Sequence, residues 1–251
     1  MRFNKPLYGM CVALSLTLMG ACSAPDPAAL ETGGVYDPFE AQNRRVHAFN
    51  RALDRAVVRP TARGYSTILP DEIEDGIGNF AQNLGQPSVV VNALLQGDLP
   101  GAGQSTLTFL TNTVLGFGGL LDTAGALGLP EHDTDFGETL YVWGIGEGPH
   151  LELPVLGPAS TRDTVGRVVD LFTNPLTYDA PEPERYYGTA ASVAARLSDR
   201  GRYTETIDSI LYESADSYAQ SRLIYSQNRR FELGETLSDD TFDPYEDPYA
   251  Q

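Results

Sequence analysis

The residues that most resemble a reactive site lie in one loop, where His132, Asp133, Asp135 and Glu138 follow one another closely. Imidazole and carboxylate groups at such spacing can ligate a metal ion. Three acids and one histidine in a loop are more often a solvated turn, however. We therefore predict no metal site and no cofactor.

Other catalytic patterns are weak. The glycines of segment 144–148 (GIGEG) lack the G-x-G-x-x-G spacing of a phosphate-binding loop, and no strand–turn–helix unit surrounds them. The patterns G-x-S-x-G and H-E-x-x-H do not occur in the sequence. His47 and His150 have no obvious partners, although a nucleophile and its base can be distant in the chain. The sequence predicts a protein that is not an enzyme.

The clearest chemical signal is a lipidation site at the N-terminus. Arg2 and Lys5 precede an apolar run at 7–19, and the sequence LMGAC then ends at Cys22. A basic start, a short apolar region and small residues are typical of a secretory signal, here residues 1–21. The ending is similar to the lipobox of bacterial lipoproteins, so we predict that cleavage leaves Cys22 to be acylated. Acyl chains would anchor the protein to a membrane.

A basic cluster stands out in a strongly acidic chain. The formal charge is −17 over 251 residues, yet six arginines lie between Arg44 and Arg63, against the single acid Asp54. Such acidity argues against nucleic-acid binding, because repulsion by phosphates would dominate. Guanidinium groups match phosphate geometry, so the cluster can contact lipid headgroups locally.

The element that carries these arginines is predicted to be an amphipathic helix from Asp37 to Arg59. Asp37 can cap it, and Glu40 can complete a capping box. Pro60 should end the helix, because proline disfavours the helical conformation in the residue before it. The helix presents a basic face made of Arg44, Arg51, Arg55 and Arg59.

Two interpretations of this basic face remain open. In the first, the helix lies at the headgroup level of a membrane and its arginines hold it there. In the second, the arginines form a solvated face that pairs with the acidic remainder of the fold.

The longest uncharged stretch runs from Leu99 to Leu121. From Ser105 onward it predicts a helix with an apolar stripe at helical period. The stripe consists of Leu107, Leu110, Val114, Phe117 and Leu121. Glycines and prolines between 144 and 158 then predict an irregular but still apolar segment. In a bilayer such backbone is tolerated only inside protein or beside a wet cavity. The alternative is a glycine-rich turn in a soluble core.

The remaining chain predicts further helices around a proline-rich linker. These helices are expected at 71–84, 87–97, 165–172, 185–200 and 203–231. The predicted organisation is a signal peptide (1–21), a flexible tether (22–36), a helical core (37–178), C-terminal helices (179–231) and an acidic disordered tail (232–251).

Four strings of this sequence resemble the MlaA family, also called VacJ lipoproteins. They are DPFEAQNRRVHAFNRALDRAVVRP (37–60), NFAQNLGQPSVVVNALLQGD (79–98), TNTVLGFGGLLDTA (111–124) and FGETLYVWGIGEGPHLELPVLGPASTRD (136–163). The resemblance covers about residues 37–178. Tyr141 stands where the family usually has glycine, and His150 where tyrosine is common.

This resemblance implies an all-α, ring-shaped helical lipoprotein with amphipathic interfacial helices and a central channel. Such proteins lie at the periplasmic face of the outer membrane of Gram-negative bacteria and associate with trimeric porins. They remove phospholipids from the outer leaflet and pass them to a periplasmic carrier (MlaC-like), which preserves lipid asymmetry. From polarity and family position we expect a channel or lipid path at Asn50, Asn112, Thr113, Phe117, Gly118, Trp143, Gly144, Gly146 and Gly148.

Two other functions remain as alternatives. A structural envelope lipoprotein would scaffold porins without moving lipid, and its function would survive substitutions in the channel lining. A periplasmic lipid hydrolase would release fatty acid or headgroup, although the sequence contains no recognised hydrolase motif.

Overall fold

The structure is a computed structural model that describes residues 35–176 and 186–235. The predicted signal peptide, Cys22, most of the tether, part of the linker and the tail from residue 236 lie outside these residues. The helices are α1 (Glu40–Leu53), α2 (Arg59–Ile68), α3 (Asp71–Gln96), α4 (Leu99–Val114), α5 (Thr123–Ala126), α6 (Phe136–Val142), α7 (Thr161–Thr173), α8 (Tyr187–Arg202), α9 (Thr204–Asp208) and α10 (Ser217–Glu232). Wider π-helical turns span Asp54–Val58 and Ser209–Glu213.

The regular secondary structure of the described residues is helical apart from one antiparallel hairpin, which confirms the all-α prediction. The hairpin pairs β1 (His150–Leu153) with β2 (Gly157–Ser160). It occupies part of the segment that we expected to be irregular, and the amide of His150 also donates to the carbonyl of Tyr36 at 2.8 Å. The end of the predicted tether is therefore hydrogen-bonded to the hairpin.

The first helix does not end before Pro60, as the sequence predicted. A π-helical turn at Asp54–Val58 joins α1 to α2, and the helical path continues to Ile68. The amide of Arg59 bonds to the carbonyl of Asp54, five residues earlier. This wider turn relieves the crowding between the Pro60 ring and the carbonyl four residues before it. Pro60 thus sits in the first turn of α2, where its missing N–H is tolerated.

The predicted capping box is also absent, because Asp37 has another role. Phe39 stands at the N-cap of α1 without a side-chain capping bond. The Asp37 carboxylate instead accepts hydrogen bonds from Asn43 at 2.9 Å, from Arg222 at 2.7 Å and from the Tyr218 hydroxyl. Asp37 therefore ties the start of α1 to α10.

A single helix, α3, replaces the two helices predicted on either side of Gly85 and Pro87. Proline inside a helix removes one hydrogen bond and costs about 3 kcal/mol when nothing compensates. Here the helical turn around Pro87 is held by residues outside the helix, because the side-chain amide of Asn174 donates to the carbonyl of Leu84 at 2.7 Å. The hydroxyls of Ser88 and Thr173 are also 2.7 Å apart.

The C-terminal helices break at a different place from the predicted one. Gly201 lies inside α8, close against Ser66, where a Cβ atom would be 2.3 Å from the serine hydroxyl oxygen. The predicted helix at 203–231 is interrupted near Ser214 instead, and Asp216 caps α10 by accepting from the amide of Ala219. The predicted start of α7 is confirmed, since Ser160 accepts from the amide of Asp163.

The interior contains few large apolar side chains. Most of the buried apolar residues are alanines, and the largest fully buried side chains are polar, namely Asn92, Thr139, Ser105 and Ser160. Asn92 donates to Asp170 at 3.0 Å and accepts from Thr139 at 3.2 Å. Buried polar groups cost free energy unless they are hydrogen-bonded, so such bonds must hold the helices together here.

A buried ionic network joins the π-helical turn after α1 to α8 and α9. The Arg200 guanidinium makes two bonds of 2.8 Å to the Asp54 carboxylate and one of 2.7 Å to Asp208. Tyr212 donates to Asp54 at 2.6 Å. Burial alone would raise the pKa of Asp54, but the hydrogen bonds from Arg200 and Tyr212 outweigh it and hold that pKa below its usual value.

Replacing Arg200 by methionine should lower the free energy of unfolding by about 3–5 kcal/mol, because the buried Asp54 carboxylate loses its cationic partner and Asp208 loses one of its three. Arg202→Met is the matched control, since Arg202 makes an exposed pair with Asp75 whose contribution is at most about 1 kcal/mol. Denaturant unfolding of the detergent-solubilised protein measures both. An equal loss of unfolding free energy in the two variants would contradict a special contribution of Arg200 to stability.

The same network predicts a dependence on acid. The folded-state pKa of Asp54 lies below its unfolded value, so the network stabilises fully above about pH 4. This contribution is lost as the pH falls through the folded-state pKa. Arg200→Met should therefore flatten the acid limb of the stability curve, and an unchanged limb would count against the network.

Candidate functional site

The outside of the protein carries an unusually large apolar surface. Between α3 and α5 the exposed fractions reach 69% for Leu99, 74% for Val114 and 78% for Phe117. Further exposed apolar residues in the same part of the chain are Leu94, Leu95, Leu107, Leu110, Leu115, Leu120, Leu121 and Leu127. Contiguous apolar patches of this kind mark contact with a membrane or a partner protein.

The predicted stripe is therefore present, but it faces outward and its helix is shorter than expected. Helix α4 begins at Leu99 and ends at Val114, so Phe117 and Leu121 lie in the turns that follow. Phe117 has φ of 53°, and Gly118 and Gly119 follow with φ of 76° and 98°. A bulky residue with positive φ is strained. The backbone of this turn is therefore strained at a residue whose aromatic ring lies on the surface.

Two of the predicted channel residues, Asn112 and Thr113, lie in the seam between α3 and α4. Asn112 is buried, donates to Asp122 at 3.1 Å and accepts from the amide of Ala124 at 2.7 Å. Thr113 accepts from Asn83 at 3.0 Å. Asn112 lines a small cavity of about 70 Å³. Both atoms of its amide are thus used to hold the turn before α5.

Trp143 and the three predicted glycines lie together in the turn after α6. The Trp143 indole donates to the carbonyl of Leu95 at 3.1 Å, while 53% of the residue stays exposed. Gly144 and Gly148 have φ of 84° and 71°, which side chains rarely adopt. Gly144 and Gly146 line a cavity of about 210 Å³.

Asn50 lies elsewhere, against the turn of the hairpin. Its amide donates to Glu152 at 3.1 Å and to the carbonyl of Leu153 at 2.9 Å, and its oxygen accepts from the amide of Val155 at 2.8 Å. Val155 has φ of 69° and is exposed. Asn50 lines a third cavity, of about 240 Å³. Of the predicted channel residues, Gly144 and Gly146 line one cavity, Asn112 a second and Asn50 a third. The others line none of these three cavities, and a continuous channel stays a prediction.

The predicted basic face is largely turned toward the C-terminal helices. Arg44 pairs with Asp216 at 2.7 Å and holds the pKa of that carboxyl near 2. Arg59 pairs with Asp208. These contacts match the second interpretation, in which the face pairs with acidic parts of the fold.

Arg51 and Arg55 are bound differently. Their guanidinium carbons lie 5.7 and 4.8 Å from the centroid of the Tyr212 ring. Cation–π contact orients a guanidinium without neutralising its charge. Because Arg55 is exposed, it stays available to an anion, and the headgroup-level role of these two residues remains a prediction.

Sequence reasoning missed the partners of His47. Its ring nitrogens lie 3.3 Å from the Glu152 carboxylate and 3.0 Å from the Ser217 hydroxyl, which is the order found in hydrolase triads. All three residues are buried, however. The backbone amide of Ala219, close to Ser217 in the chain, already donates to Asp216 and is therefore not free to stabilise an oxyanion. This arrangement favours a structural role for the hydrogen-bond network of His47. The partners of His47 lie more than 100 positions away in the chain, and no sequence signal linked them to it.

The acidic loop that opened the sequence analysis has structural roles. Asp135 caps α6 by accepting from the amide of Glu138 at 2.7 Å, and Glu138 accepts from Thr134 at 2.8 Å. His132 faces Asp98 at 3.5 Å. Within residues 35–176 and 186–235, no group of three His, Cys, Asp or Glu side chains could hold a metal ion.

A mainly helical fold with a polar interior and many exposed apolar side chains is typical of a helical protein that faces a membrane or another apolar surface. The MlaA lipoprotein family matches residues 35–232 of the chain. The intermembrane phospholipid transport system lipoprotein MlaA of Escherichia coli K12 is 33% identical over 96% of this chain and 92% of its own length. The chain belongs to the MlaA lipoprotein family.

Other relatives agree with this assignment. The lipoprotein of the same name from Haemophilus influenzae is 31% identical over 79% of this chain and 80% of its own. An uncharacterised protein of Rickettsia felis is 36% identical over 75% of this chain and 74% of its own. A solved structure, from work on the structural basis for maintenance of bacterial outer membrane lipid asymmetry, has a TM-score of 0.68 and 32% identity. It covers 78% of this chain and 98% of its own.

The strained turn at Phe117 generates a prediction. Phe117→Gly should raise the free energy of unfolding by about 1 kcal/mol, because glycine adopts positive φ without strain. The same change should weaken binding to phospholipid vesicles, because the exposed ring is lost. Denaturant unfolding and vesicle flotation of the unacylated protein measure the two effects.

Phe117→Ala separates strain from ring. It keeps a side chain at positive φ, so it should weaken vesicle binding without the gain in stability. If Phe117→Gly bound vesicles as well as the wild type, the turn would have no part in membrane contact.

Proposed function

We propose that this protein is an outer-membrane lipoprotein that removes mislocalised phospholipids from the outer leaflet and passes them to a periplasmic carrier. Retrograde transport of this kind maintains the lipid asymmetry of the outer membrane. The observation that carries the proposal is membership of the MlaA lipoprotein family along most of the chain. The apolar exterior is the independent physical support.

The membrane contact fits a protein that sits within one leaflet. No helix in residues 35–176 or 186–235 is long and apolar enough to cross a bilayer. Exposed apolar residues of α4 and the turn at Phe117 can instead contact hydrocarbon, while acyl chains on Cys22 would hold the protein at the membrane. Arg51 and Arg55 would then lie near the headgroup phosphates.

Transport requires a path for the headgroup. A phospholipid that changes leaflet must carry its charged headgroup past hydrocarbon, which costs several kcal/mol without a polar path. Uncharged polar groups near Asn112 and Thr113, and the backbone around Gly144 to Gly148, would lower this cost. We propose that these groups belong to an amphipathic channel through a ring-shaped arrangement of the helices.

The proposed partners follow from charge and location. A trimeric porin would hold the protein in the outer membrane, and a periplasmic MlaC-like carrier would receive the lipid. The chain carries 34 acidic residues against 17 basic ones, so basic surfaces on either partner would complement it. Movement of lipid needs no bond to be made or broken, so the proposed function is not enzymatic.

The decisive experiment measures phospholipid in the outer leaflet of intact cells with a headgroup-reactive probe that cannot cross the membrane. Deletion of the gene should raise this signal, and the wild-type gene should restore it. Gly146→Trp should fail to restore it, because the indole fills a cavity that Gly146 lines. Gly103→Trp is the control, since a Cβ there meets nothing within 4 Å and the residue is exposed.

The outcomes separate the alternatives. Rescue by Gly146→Trp at normal protein level would favour a porin scaffold that moves no lipid. Release of fatty acid by wild-type protein but not by Ser217→Ala would favour a hydrolase that uses the His47 network. No change on deletion would contradict all lipid transport by this protein.

The proposed headgroup-level position of the arginines has its own test. Replacing Arg51 and Arg55 together by glutamate should reduce vesicle binding and transport, because two cations near anionic phosphates become anions. Arg196→Glu is the control, because Arg196 is exposed on α8. Unchanged membrane depth and transport in the double variant would rule out this role.

A further inference from the structure

The cavity beside Gly144 and Gly146 has an unusual electrostatic character. It holds about 210 Å³ and lies between the glycine turn, the start of α7 and the end of α10. Its lining includes the cations Arg162, Arg229 and Arg230. A water molecule occupies about 30 Å³ in the liquid, so the cavity can hold several waters or a small polar headgroup.

Arg162 is the most informative of these residues, because its charge is buried without a close partner. The residue is 5% exposed. Its Nε atom is 3.5 Å from the Asp163 carboxylate and its Nη1 atom is 3.5 Å from the carbonyl of Ile145. Charge-assisted hydrogen bonds are normally about 2.7–2.9 Å long. The guanidinium is also stacked 5.1 Å from the centroid of the Tyr141 ring, which fixes its plane.

The neighbouring Asp163 carboxylate is not a close partner for the Arg162 charge, because it is bound to other residues. The Asp163 carboxylate accepts a hydrogen bond from the Tyr225 hydroxyl. The backbone amide of Asp163 donates to the Ser160 hydroxyl at 2.9 Å. Arg229 lies 3.3 Å from the same carboxylate and is bound more closely, at 2.6 Å, to Asp135. Arg229 is thus committed to structural pairs, whereas Arg162 keeps donor capacity directed to the cavity wall.

Arg230 supplies a second under-paired cation. Its Nη2 atom is 3.9 Å from the Glu147 carboxylate, and its side chain is 27% exposed. Burial raises the pKa of Glu147, against the lowering effect of Arg230 and Arg162. A carboxyl that is more easily protonated repels an anion less. The charge of Glu235, burial and a hydrogen bond to Glu235 together raise the pKa of Tyr141.

The surface next to the cavity is apolar. Ile145 lines the cavity and is 49% exposed. Val142 and Trp143, which are 51% and 53% exposed, lie in the chain between the lining residues Tyr141 and Gly144, and segment 142–145 is called the rim here. An amphiphile could therefore place an anionic head in the cavity and its hydrocarbon on this rim. A free inorganic anion would have no use for the rim.

We propose that this cavity binds the phosphate of a phospholipid headgroup, with Arg162 and Arg230 as donors and the 142–145 rim against the acyl chains. The proposal rests on the proposed lipid-transport function and adds a headgroup site to it. Glu235, which also lines the cavity, keeps its net positive charge low, which permits release of the lipid after capture.

Binding of short-chain phosphatidylglycerol to the full-length protein in detergent tests the proposal. Arg162→Gln should weaken binding about tenfold and Arg230→Gln several-fold, because each removes a charge-assisted hydrogen bond. Arg167→Gln is the matched control on the same helix, since its guanidinium contacts the carbonyls of Leu156 and Pro158. It should bind like the wild type.

Three further arms make the result decisive. Diacylglycerol with the same chains lacks phosphate, so it should bind weakly and equally to all variants. Inorganic phosphate should bind far more weakly than the lipid, and equal affinity would overturn the lipid assignment. If Arg162→Gln unfolds, the half-buried Arg230 decides, because unchanged binding by Arg230→Gln overturns the proposal.

This test separates the site from the transport function. If folded variants bind the short-chain lipid as the wild type does, while gene deletion still raises outer-leaflet phospholipid, only the headgroup site fails. If deletion has no effect on the outer leaflet, the transport function itself fails.

Discussion

Many large apolar side chains lie on the outside of this protein, so few of them remain to build its interior. The interior consequently holds alanines and hydrogen-bonded polar residues, such as Asn92 and Thr139, in place of a core of leucine and phenylalanine. Non-directional apolar burial cannot fix the helices in this arrangement. Directional bonds do so, and the charge-assisted Asp54–Arg200–Asp208 network is an example.

Local sequence signals predicted the fold where local forces decide it. The cap at Ser160 and the helices of the core were predictable, because capping and periodicity act within a few residues. Pro60 and Pro87 misled the prediction because their effect is local, whereas their compensation is not. A π-helical turn accommodates the first, and Asn174 supports the helix around the second from 90 residues away.

The candidate site shows the same division. Polarity within an apolar stretch singled out Asn112, but polarity alone does not distinguish a channel wall from a buried side chain that holds a turn. Asn112 and Asn50 each use donor and acceptor atoms to hold a turn. Arg162 shows the opposite limit of sequence reasoning, because the sequence indicated only that this residue belongs to the start of a helix. Its importance depends on a missing close partner, and that is a property of three-dimensional packing.

The choice of cation fits this inverted organisation. Lys5 is the only lysine of the sequence, so every long basic side chain in the described residues is arginine. Arginine is less strongly hydrated than lysine and binds carboxylates in a fixed fork, which suits charges that must lie inside a protein or at an apolar boundary. Arg200 and Arg44 use that fork on carboxylates and thereby hold helices together.

Arg162, Arg230 and Arg55 are held differently, by aromatic stacking or long contacts that orient the guanidinium and leave donors unused. An oriented cation beside exposed apolar residues is matched to an amphiphile with an anionic head. The same residue type therefore occurs in two environments in this fold, and the completeness of its pairing separates the arginines that hold helices together from those that we propose contact lipid.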